Sequence, residues 1–415
     1  MRNAGFIWIV APIMALLDLY VFQAVRLICQ GTSSKIRMVV YGSYWSLSII
    51  VLIVIVIMSM TNSSEWPKNL WNYVFAILVG LFFTKLIASV FFLIDDIRRI
   101  IQWAVGKLFF SNTEGENING EGISRSLFLS WLGLGIGGGL FSTLIYGFSN
   151  KYNYQIHRIN LSFERLPAAF KGLKIVQISD IHSGSFTDKI AVQKGVEMVL
   201  KENADIILFT GDLVNDKAVE MKDYIEMFSS LKAPMGVFST LGNHDYGDYA
   251  WWESKEAKEL NLEHLKQIHA QMGWRLLMNE HVVLQRNGEE IALLGVENWS
   301  AKARFPKHGK MNLAYPGSEK YPFKILMSHD PSHWDAVVRP QYPDIDLVLA
   351  GHTHGMQFGL EIPGLKWSPV QYVYKQWAGL YEEGKQKLYV NRGYGFIGYP
   401  GRVGILPEIT VIELT

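Results

Sequence analysis

The chain has little cysteine and little charge, and both shortages limit what it can be. Cys29 is the only cysteine among 415 residues, which excludes an internal disulfide and leaves the compartment open. Charged residues make up 19% of the chain and hydrophobic residues 49%, a balance too apolar for a wholly soluble protein. The formal net charge of +1 gives no bulk attraction for a polyanion, so we expect no nucleic-acid partner.

Charge is scarcest in the first 150 residues, where four long runs are almost wholly apolar. The runs cover residues 4–25, 38–60, 70–94 and 126–148. Each is long enough to cross a bilayer core, which takes about 20 helical residues. The first run could instead be a cleaved signal peptide, but it is long for that role and three more runs follow. We therefore predict a four-helix transmembrane domain over residues 1–150, integral to the cell membrane and surrounded by its lipid bilayer.

Two ionisable residues, Asp18 and Lys85, interrupt these apolar runs. Because an ionisable group at membrane depth is costly, we expect Asp18 to pack against a neighbouring helix and to pair with Lys85. Two isolated ionisable residues give little support to a transporter or channel. After the third run, apolar residues at near-helical spacing predict a short interfacial helix over residues 97–110, followed by a polar loop over residues 111–122.

The lysine and arginine counts of the loops predict the membrane orientation. The first and third connections carry seven basic residues, namely Arg26, Lys35, Arg37, Arg98, Arg99, Lys107 and Arg125. The N-terminus carries only Arg2 and the second connection only Lys68. A basic flank after the fourth run counts against the prediction, but short loops decide orientation more strongly than the flank of a long domain. We therefore expect the C-terminal domain to be extracytoplasmic.

From residue 151 to 415, short apolar strands alternate with helical segments. Strands are predicted near residues 155–162, 174–179, 205–210, 236–241, 281–285, 291–296, 324–327 and 346–350. Helices are predicted over residues 187–203, 216–231 and 251–272. This alternation predicts a parallel sheet covered by helices.

Candidate metal ligands directly follow these strands, at the sheet edge where open α/β proteins build their sites. We predict one metal site from Asp180, His182, Asp212 and His354. We predict a second from Asp212, Asn243, His329 and His352. The shared Asp212 carboxylate has two oxygens and can bridge two cations. Mixed oxygen and imidazole donors favour two divalent transition ions, Mn, Fe or Zn, over Ca or Mg, and among them we favour Mn.

Two further residues are predicted to act on the substrate, and a third to position one of them. His244 follows Asn243, so an extended chain would point it away from the metals, where it could stabilise developing charge or protonate a leaving oxygen. Asp245 is predicted to hold the ring and tautomer of His244. Arg392 is predicted to contact a phosphate through its planar fork, with a purely structural role as the alternative.

The ordered segments resemble the calcineurin-like metallophosphoesterase superfamily, with its pattern D-x-H…GD…GNH[DE]…H…GHxH matched over residues 172–414. The resemblance implies a four-layer α/β/β/α sandwich that carries the ligand and histidine roles assigned above. The segments IVQISDIHSG and LVLAGHTHG and the chain end are similar to membrane-associated bacterial phosphohydrolases of the YkuE/YaeI type. Two departures are Met356, where those relatives usually have glycine, and an insertion from Trp299 to Tyr321.

Together these features predict a membrane-tethered phosphoesterase that uses metal-activated water. Its substrate is expected to be phosphorylated and lipid-linked, because the tether confines the enzyme to a lipid surface. A specific alternative is a UDP-2,3-diacylglucosamine diphosphatase of lipid A synthesis. Another class is a non-enzymatic membrane sensor or scaffold, against which the complete ligand set argues.

Overall fold

A computed structural model describes residues 4–61, 66–109, 125–302, 305 and 307–415 of the chain. The chain divides into two compact units, Met1–Tyr146 and Gly147–Thr415. The sequence prediction drew the boundary after residue 150. The predicted polar loop over residues 111–122 lies outside the described residues.

The described part of the first unit forms four helices that are long and apolar enough to cross a membrane. They are α1 (Ala4–Ile28), α2 (Ser34–Met60), α3 (Lys68–Phe109) and α4 (Arg125–Gly147). Ser33 begins α2 by accepting the backbone N–H of Ile36 with its side chain. The segment predicted as a short interfacial helix, residues 97–110, is helical as far as Phe109, but it continues α3 without a break, because no proline ends the helix before it.

Asp18 and Lys85 are both buried among the helices, and the Lys85 ammonium donates to Asp18 Oδ1. The Ser48 hydroxyl donates to the same oxygen at 2.7 Å, and the Tyr44 hydroxyl donates to the Asp18 carbonyl at 2.8 Å. The predicted ion pair is therefore confirmed and joins α1 to α3, and the Ser48 and Tyr44 hydroxyls add α2 to the network.

In the part of the chain that the structure describes, the second unit has fourteen strands. They are β1 (Gln155–Leu161), β2 (Lys174–Ile178), β3 (Ile206–Phe209), β4 (Val237–Ser239), β5 (Arg275–Leu276), β6 (Glu280–Arg286), β7 (Glu289–Gly295), β8 (Lys324–Met327), β9 (Leu347–Ala350), β10 (Leu360–Ile362), β11 (Leu365–Trp367), β12 (Gly379–Glu383), β13 (Gln386–Val390) and β14 (Glu408–Leu414). One sheet has the order β1-β14-β2-β3-β4-β5 and the other β12-β13-β9-β8-β7-β6. Strands β10 and β11 form a separate antiparallel hairpin.

The two sheets pack face to face, with helices on both outer faces. Buried side chains from both sheets, such as Leu208 and Leu349, share one core between them. The first sheet is covered by α5 (Lys189–Lys201), α6 (Ile225–Ser229) and α7 (Lys255–Gln271). The second is covered by α8 (Met311–Ala314) and by a helical segment that ends in α9 (Arg339–Gln341). This arrangement confirms the predicted α/β/β/α sandwich.

The predicted helix over residues 216–231 is shorter and interrupted. A single turn at Ala218–Met221 and α6 are separated at Tyr224, whose φ of −124° leaves the helical range. Tyr224 packs there against Phe186, with ring centroids 5.2 Å apart. Parallel strands β2, β3 and β4 end just before Asp180, Asp212 and Asn243, as β8 and β9 do before His329 and His352.

Candidate active site

The polar residues at these strand ends form two groups of potential metal donors. One group is Asp180, His182 and His354, and the other is Asp212, His329 and His352. Within each group, one donor atom from each side chain lies within 4.8 Å of the others. The side chains are almost wholly buried, so the structure brings together residues up to 174 positions apart in the chain (180 to 354) at one place.

Asp212 belongs to the second group but also lies close to the first. Its Oδ2 atom is 3.6 Å from His182 Nε2 in the first group and 3.1 Å from His329 Nε2 in the second. Asn243, the remaining predicted ligand, places its Oδ1 atom 2.7 Å from His352 Nδ1. All seven predicted ligands therefore lie close together, and Asp212 Oδ2 is near a histidine of each group.

Backbone carbonyls fix the tautomers of His182 and His329. Their Nδ1 atoms lie 3.2 Å from the Val214 oxygen and 2.7 Å from the Thr210 oxygen, respectively. Because a carbonyl only accepts, each Nδ1 carries a proton, and in the neutral form of each ring Nε2 presents its lone pair to the site. His329 Nε2 is buried and makes no hydrogen bond. A buried nitrogen lone pair beside carboxylates fits a divalent transition ion.

His354 differs from these two histidines. The Arg402 guanidinium lies 3.3 Å from His354 Nδ1, and because arginine only donates, that nitrogen bears the lone pair. The proton is then on Nε2, which is 3.2 Å from Asp180 Oδ1 and 3.0 Å from His182 Nε2. A cation bound through Nε2 would have to displace this proton.

The backbone is strained at the same positions. Five of the proposed ligands, Asp180, His182, Asp212, His352 and His354, have φ between 48° and 71°. Non-glycine residues rarely adopt this left-handed region, and each costs on the order of 1–3 kcal/mol. Such strain is typical of functional sites, where the surrounding structure imposes it.

Two glycines allow neighbouring chain segments to approach the carboxylates. A Cβ atom at Gly242 would lie 2.1 Å from Asp212 Oδ1, and one at Gly351 would lie 2.2 Å from Asp180 Oδ2. Only glycine fits at either position without displacing a proposed ligand.

Burial and neighbouring charges shift the pKa values of the site residues in opposite directions. Burial raises the pKa of Asp212, but the nearby His329 and His244 outweigh it and hold that pKa well below its usual range. Burial lowers the pKa of His329, but the Asp212 charge outweighs it and raises the pKa to about 10. Burial keeps the pKa of His182 below its ordinary value. The carboxylates thus attract positive charge, whether it comes from a proton or from a cation.

His244 borders the metal-donor groups rather than joining either of them. Its backbone N–H donates to Asp212 Oδ1 at 2.8 Å, and its Nδ1 lies 2.7 Å from the Asn215 carbonyl. The prediction that Asp245 holds this ring is wrong, because Asn215 does so. The Asp245 carboxylate instead accepts backbone N–H groups, among them those of Asp212 and Gly242 at 2.9 and 2.8 Å. Asp245 supports the turns that carry the ligands.

Arg392 does not face the site. It is only 4% exposed, and its guanidinium binds Glu361 at 3.0 and 2.5 Å and Glu408 at 2.5 Å. The predicted phosphate contact is therefore wrong and the structural alternative is correct, because two carboxylates already hold three of its nitrogens.

The sequence analysis missed several residues beside the second group. The Tyr374 hydroxyl lies 2.8 Å from His352 Nε2 and donates to Asp330 Oδ2 at 3.2 Å. From the insertion, the Phe305 ring lies edge-on to His352 at 4.9 Å, and the Lys302 ammonium lies 5.2 Å from the centre of the Tyr374 ring. Asp330, next to His329 in the sequence, was the only one with a local signal.

Comparison with known proteins agrees with this architecture. Residues 1–151 match a family described as "Probable Calcineurin-like phosphoesterase, transmembrane domain", and residues 173–356 match the calcineurin-like phosphoesterase family. A Danio rerio transmembrane protein with a metallophosphoesterase domain is 31% identical over 62% of this chain. The match spans only about half of that relative, 56% of its length.

Two bacterial relatives are matched over most of their length. The uncharacterized metallophosphoesterase YkuE of Bacillus subtilis is 29% identical, over 60% of this chain and 81% of that protein. The UDP-2,3-diacylglucosamine pyrophosphatase LpxG of Chlamydia trachomatis is 29% identical, over 58% of this chain and 83% of that protein. The chain therefore contains a calcineurin-like phosphoesterase domain, matched over residues 173–356, after an N-terminal four-helix transmembrane domain of the kind found with such phosphoesterases, matched over residues 1–151.

Proposed function

We propose that the chain is a membrane-tethered dinuclear-metal phosphoesterase that hydrolyses phosphate ester or diphosphate bonds. The observation that carries this proposal is the position of Asp212 close to both groups of buried donors, 3.6 Å from one histidine and 3.1 Å from another. Two sites that share one carboxylate are the arrangement a two-metal phosphoesterase needs, because the carboxylate fixes the spacing of the cations.

Each proposed site has its own ligands. Asp180, His182 and His354 would hold one cation, and Asn243, His329 and His352 would hold the other, with Asp212 common to both. The set mixes three oxygen donors with four imidazoles, which fits divalent transition ions, and among them we favour Mn. Such ions would polarise a phosphoryl oxygen and increase the acidity of a water molecule.

His244 is the proposed acid or charge-stabilising group. Because its Nδ1–H is held by the Asn215 carbonyl, Nε2 is the nitrogen available to a substrate oxygen. In its protonated form Nε2 can donate to the phosphoryl group or to the leaving oxygen. Tyr374 and Asp330 lie 2.8 and 3.4 Å from His352 Nε2 and orient that ring.

Metal removal tests the chemistry. Full-length protein purified in detergent, stripped with EDTA and assayed on bis-p-nitrophenyl phosphate should be inactive. Activity should return with Mn(II) in proportion to bound metal, with two ions per chain at saturation by elemental analysis. Full activity in metal-free protein would refute the proposed mechanism. Two bound ions without hydrolysis of any phosphate ester would favour the sensor or scaffold.

The proposed substrate is a lipid-linked phosphate or diphosphate. The membrane helices support this choice because they confine the site to a lipid surface. The relative LpxG, by its name, acts on a UDP-linked diacylglucosamine, which makes a similar diphosphatase activity the second candidate for this chain. Parallel assays on a lipid monophosphate and on a nucleotide-linked lipid diphosphate would separate the two.

The proposed location of the second unit is extracytoplasmic. Seven basic residues in the first and third connections, against one at the N-terminus and one in the second, support it. A C-terminal alkaline phosphatase fusion should be active and a C-terminal green fluorescent protein fusion dark. The reverse result would place the site in the cytoplasm and favour a nucleotide-linked substrate.

A further inference from the structure

The hairpin of β10 and β11 presents one wholly apolar face to solvent. Leu360 pairs with Trp367 and Ile362 with Leu365, so these four side chains lie on the same face. They are 43%, 37%, 51% and 50% exposed, respectively. We call these four residues the hairpin face.

The opposite side of the hairpin is attached to the body of the second unit. Glu361 receives two hydrogen bonds from the buried Arg392, which is itself held by the fully buried Glu408. Lys366 donates to the Ala378 carbonyl, and its ammonium lies 4.9 Å from the centre of the Trp377 ring. Since the polar cross-strand pair is fixed inward, the hairpin face is held outward.

The hairpin is also tied to the candidate active site. It begins six residues after His354 (354 to 360), and the Ser368 hydroxyl at its end donates to the Gly355 carbonyl at 2.8 Å. Beyond it, Tyr372 and Val373 are 77% and 48% exposed, and the next residue, Tyr374, contacts His352. An object bound to the hairpin face would therefore lie beside the segment that leads into the site.

We propose that the hairpin face docks on the bilayer surface. The chain carries four helices able to cross a membrane, so a bilayer is always within reach of the second unit. Trp367 and Tyr372 are residue types enriched where protein meets the membrane–water interface. The alternative of a second copy is weaker, because four side chains offer on the order of 300 Å², whereas a stable interface buries about 1,200–2,000 Å² in total.

Docking would give the site a defined orientation toward the lipid surface. If the proposed function holds, a lipid-linked phosphate could then enter the site with its acyl chains still in the bilayer. This consequence depends on the proposed function, whereas the docking itself does not.

A fluorescent label tests the docking directly. Leu365→Cys, in a Cys29→Ser background, would carry an environment-sensitive dye on full-length protein in vesicles of phosphatidylethanolamine and phosphatidylglycerol. The matched control is Leu313→Cys, because Leu313 is similarly exposed, at 56%, but lies far from the hairpin. Leu313 is on α8, which contacts β6 at one edge of the second sheet, whereas Lys366 of the hairpin bonds to Ala378, next to β12 at the other edge.

We expect a blue-shifted emission and quenching by spin-labelled lipid at position 365 and neither effect at position 313. Equal signals at the two positions would overturn the proposal. Energy transfer between labels on different copies, without lipid quenching, would overturn it in favour of a protein interface.

Substrate choice gives a second readout. The double variant Ile362→Ser and Leu365→Ser, which changes two exposed side chains of the hairpin face, should leave hydrolysis of bis-p-nitrophenyl phosphate unchanged. It should lower hydrolysis of a lipid phosphate in vesicles roughly tenfold, because two apolar side chains no longer partition into the interface. Equal losses on both substrates would contradict a docking role. If the parent protein hydrolyses neither substrate, the proposed function fails, and the quenching experiment still decides the docking.

Discussion

Both units bury carboxylates, but they neutralise them in different ways. In the first unit, Asp18 is bonded to the Lys85 ammonium, and Asp95 is paired with Arg98 at 2.7 Å. In the second unit, Asp180 and Asp212 are equally buried, yet among the described residues neither has a lysine or arginine nitrogen within 4 Å. Their close basic neighbours are histidines.

The difference separates structural charges from exchangeable ones. A lysine or arginine partner carries a permanent charge, so its pair is complete as folded. A histidine can lose its proton to a competing cation, so its pair can be replaced by a metal. The Arg392 cluster shows that the second unit also builds permanent pairs where it needs a scaffold.

The largest expected effect comes from Asp212→Asn. Residues that only support a metal ligand cost about 10–100-fold when changed, so the proposed bridging ligand should cost at least about 10³-fold in kcat/KM. Elemental analysis should show loss of bound metal together with activity.

The free energy of unfolding gives a second measurement on the Asp212→Asn variant. Metal at about 100 times its Kd should stabilise the parent protein by roughly 2.7 kcal/mol and the variant by much less. In EDTA, the variant should be less stable than the parent at neutral pH. Neighbouring histidines hold the pKa of Asp212 well below its usual range, so its charge stabilises the folded state, and Asp212→Asn leaves His329 without that partner. A variant that keeps both ions would show that Asp212 is not a ligand.

Asp18→Asn should destabilise the first unit through the loss of a permanent ion pair rather than of a metal ligand. It leaves Lys85 buried without its charge partner, which typically costs about 3–5 kcal/mol. Thermal unfolding in detergent, with and without EDTA, would measure the loss, which should not depend on metal. The double variant Asp18→Asn and Lys85→Met should recover much of it. A stable single variant would show that this pair is as exchangeable as those of the site.

His244→Ala tests whether His244 is a metal ligand or a group that acts only on the substrate. We expect both metals to remain and kcat to fall about 10²-fold or more, the usual scale for a positioned acid or charge-stabilising group. His264→Ala is the control, since His264 is exposed on α7 and belongs to neither donor group. Loss of one metal in the His244 variant would make His244 a ligand instead.

The sequence predicted the convergence of seven ligands because that convergence depends on local signals. The sandwich was predicted from the family resemblance, whereas the local alternation alone predicted a parallel sheet covered by helices. Apolar strands that end in Asp, Asn or His place those side chains at one sheet edge whatever the loops do. The Asp18–Lys85 pair was predictable for a similar reason, since a bilayer leaves a buried charge few other partners.

The sequence could not assign residues whose roles depend on a distant partner. Arg392 and Asp245 carry the right chemistry for a phosphate or a histidine, but Glu361 and backbone N–H groups hold them instead. Phe305 and Tyr374 reach His352 through loops without a periodic pattern, so no spacing could indicate them. Local composition does not reveal which of several possible contacts the fold selects.

The smallest expected effect comes from Arg392→Lys, which keeps the charge but loses the fork that binds Glu361 twice. We expect the protein to lose about 1–2 kcal/mol of stability, with metal content and KM for bis-p-nitrophenyl phosphate unchanged. Burial raises the pKa of Glu408, but Arg392 outweighs it and holds that pKa at about 2. Because the folded pKa is depressed, this pair stabilises the protein above about pH 4.5 and is lost as the pH falls toward 2. The parent and variant should therefore differ most at neutral pH and converge in acid. A KM increase of about tenfold or more without a stability change would instead show that Arg392 contacts the substrate, since losing a charge-assisted contact weakens binding by at least about tenfold.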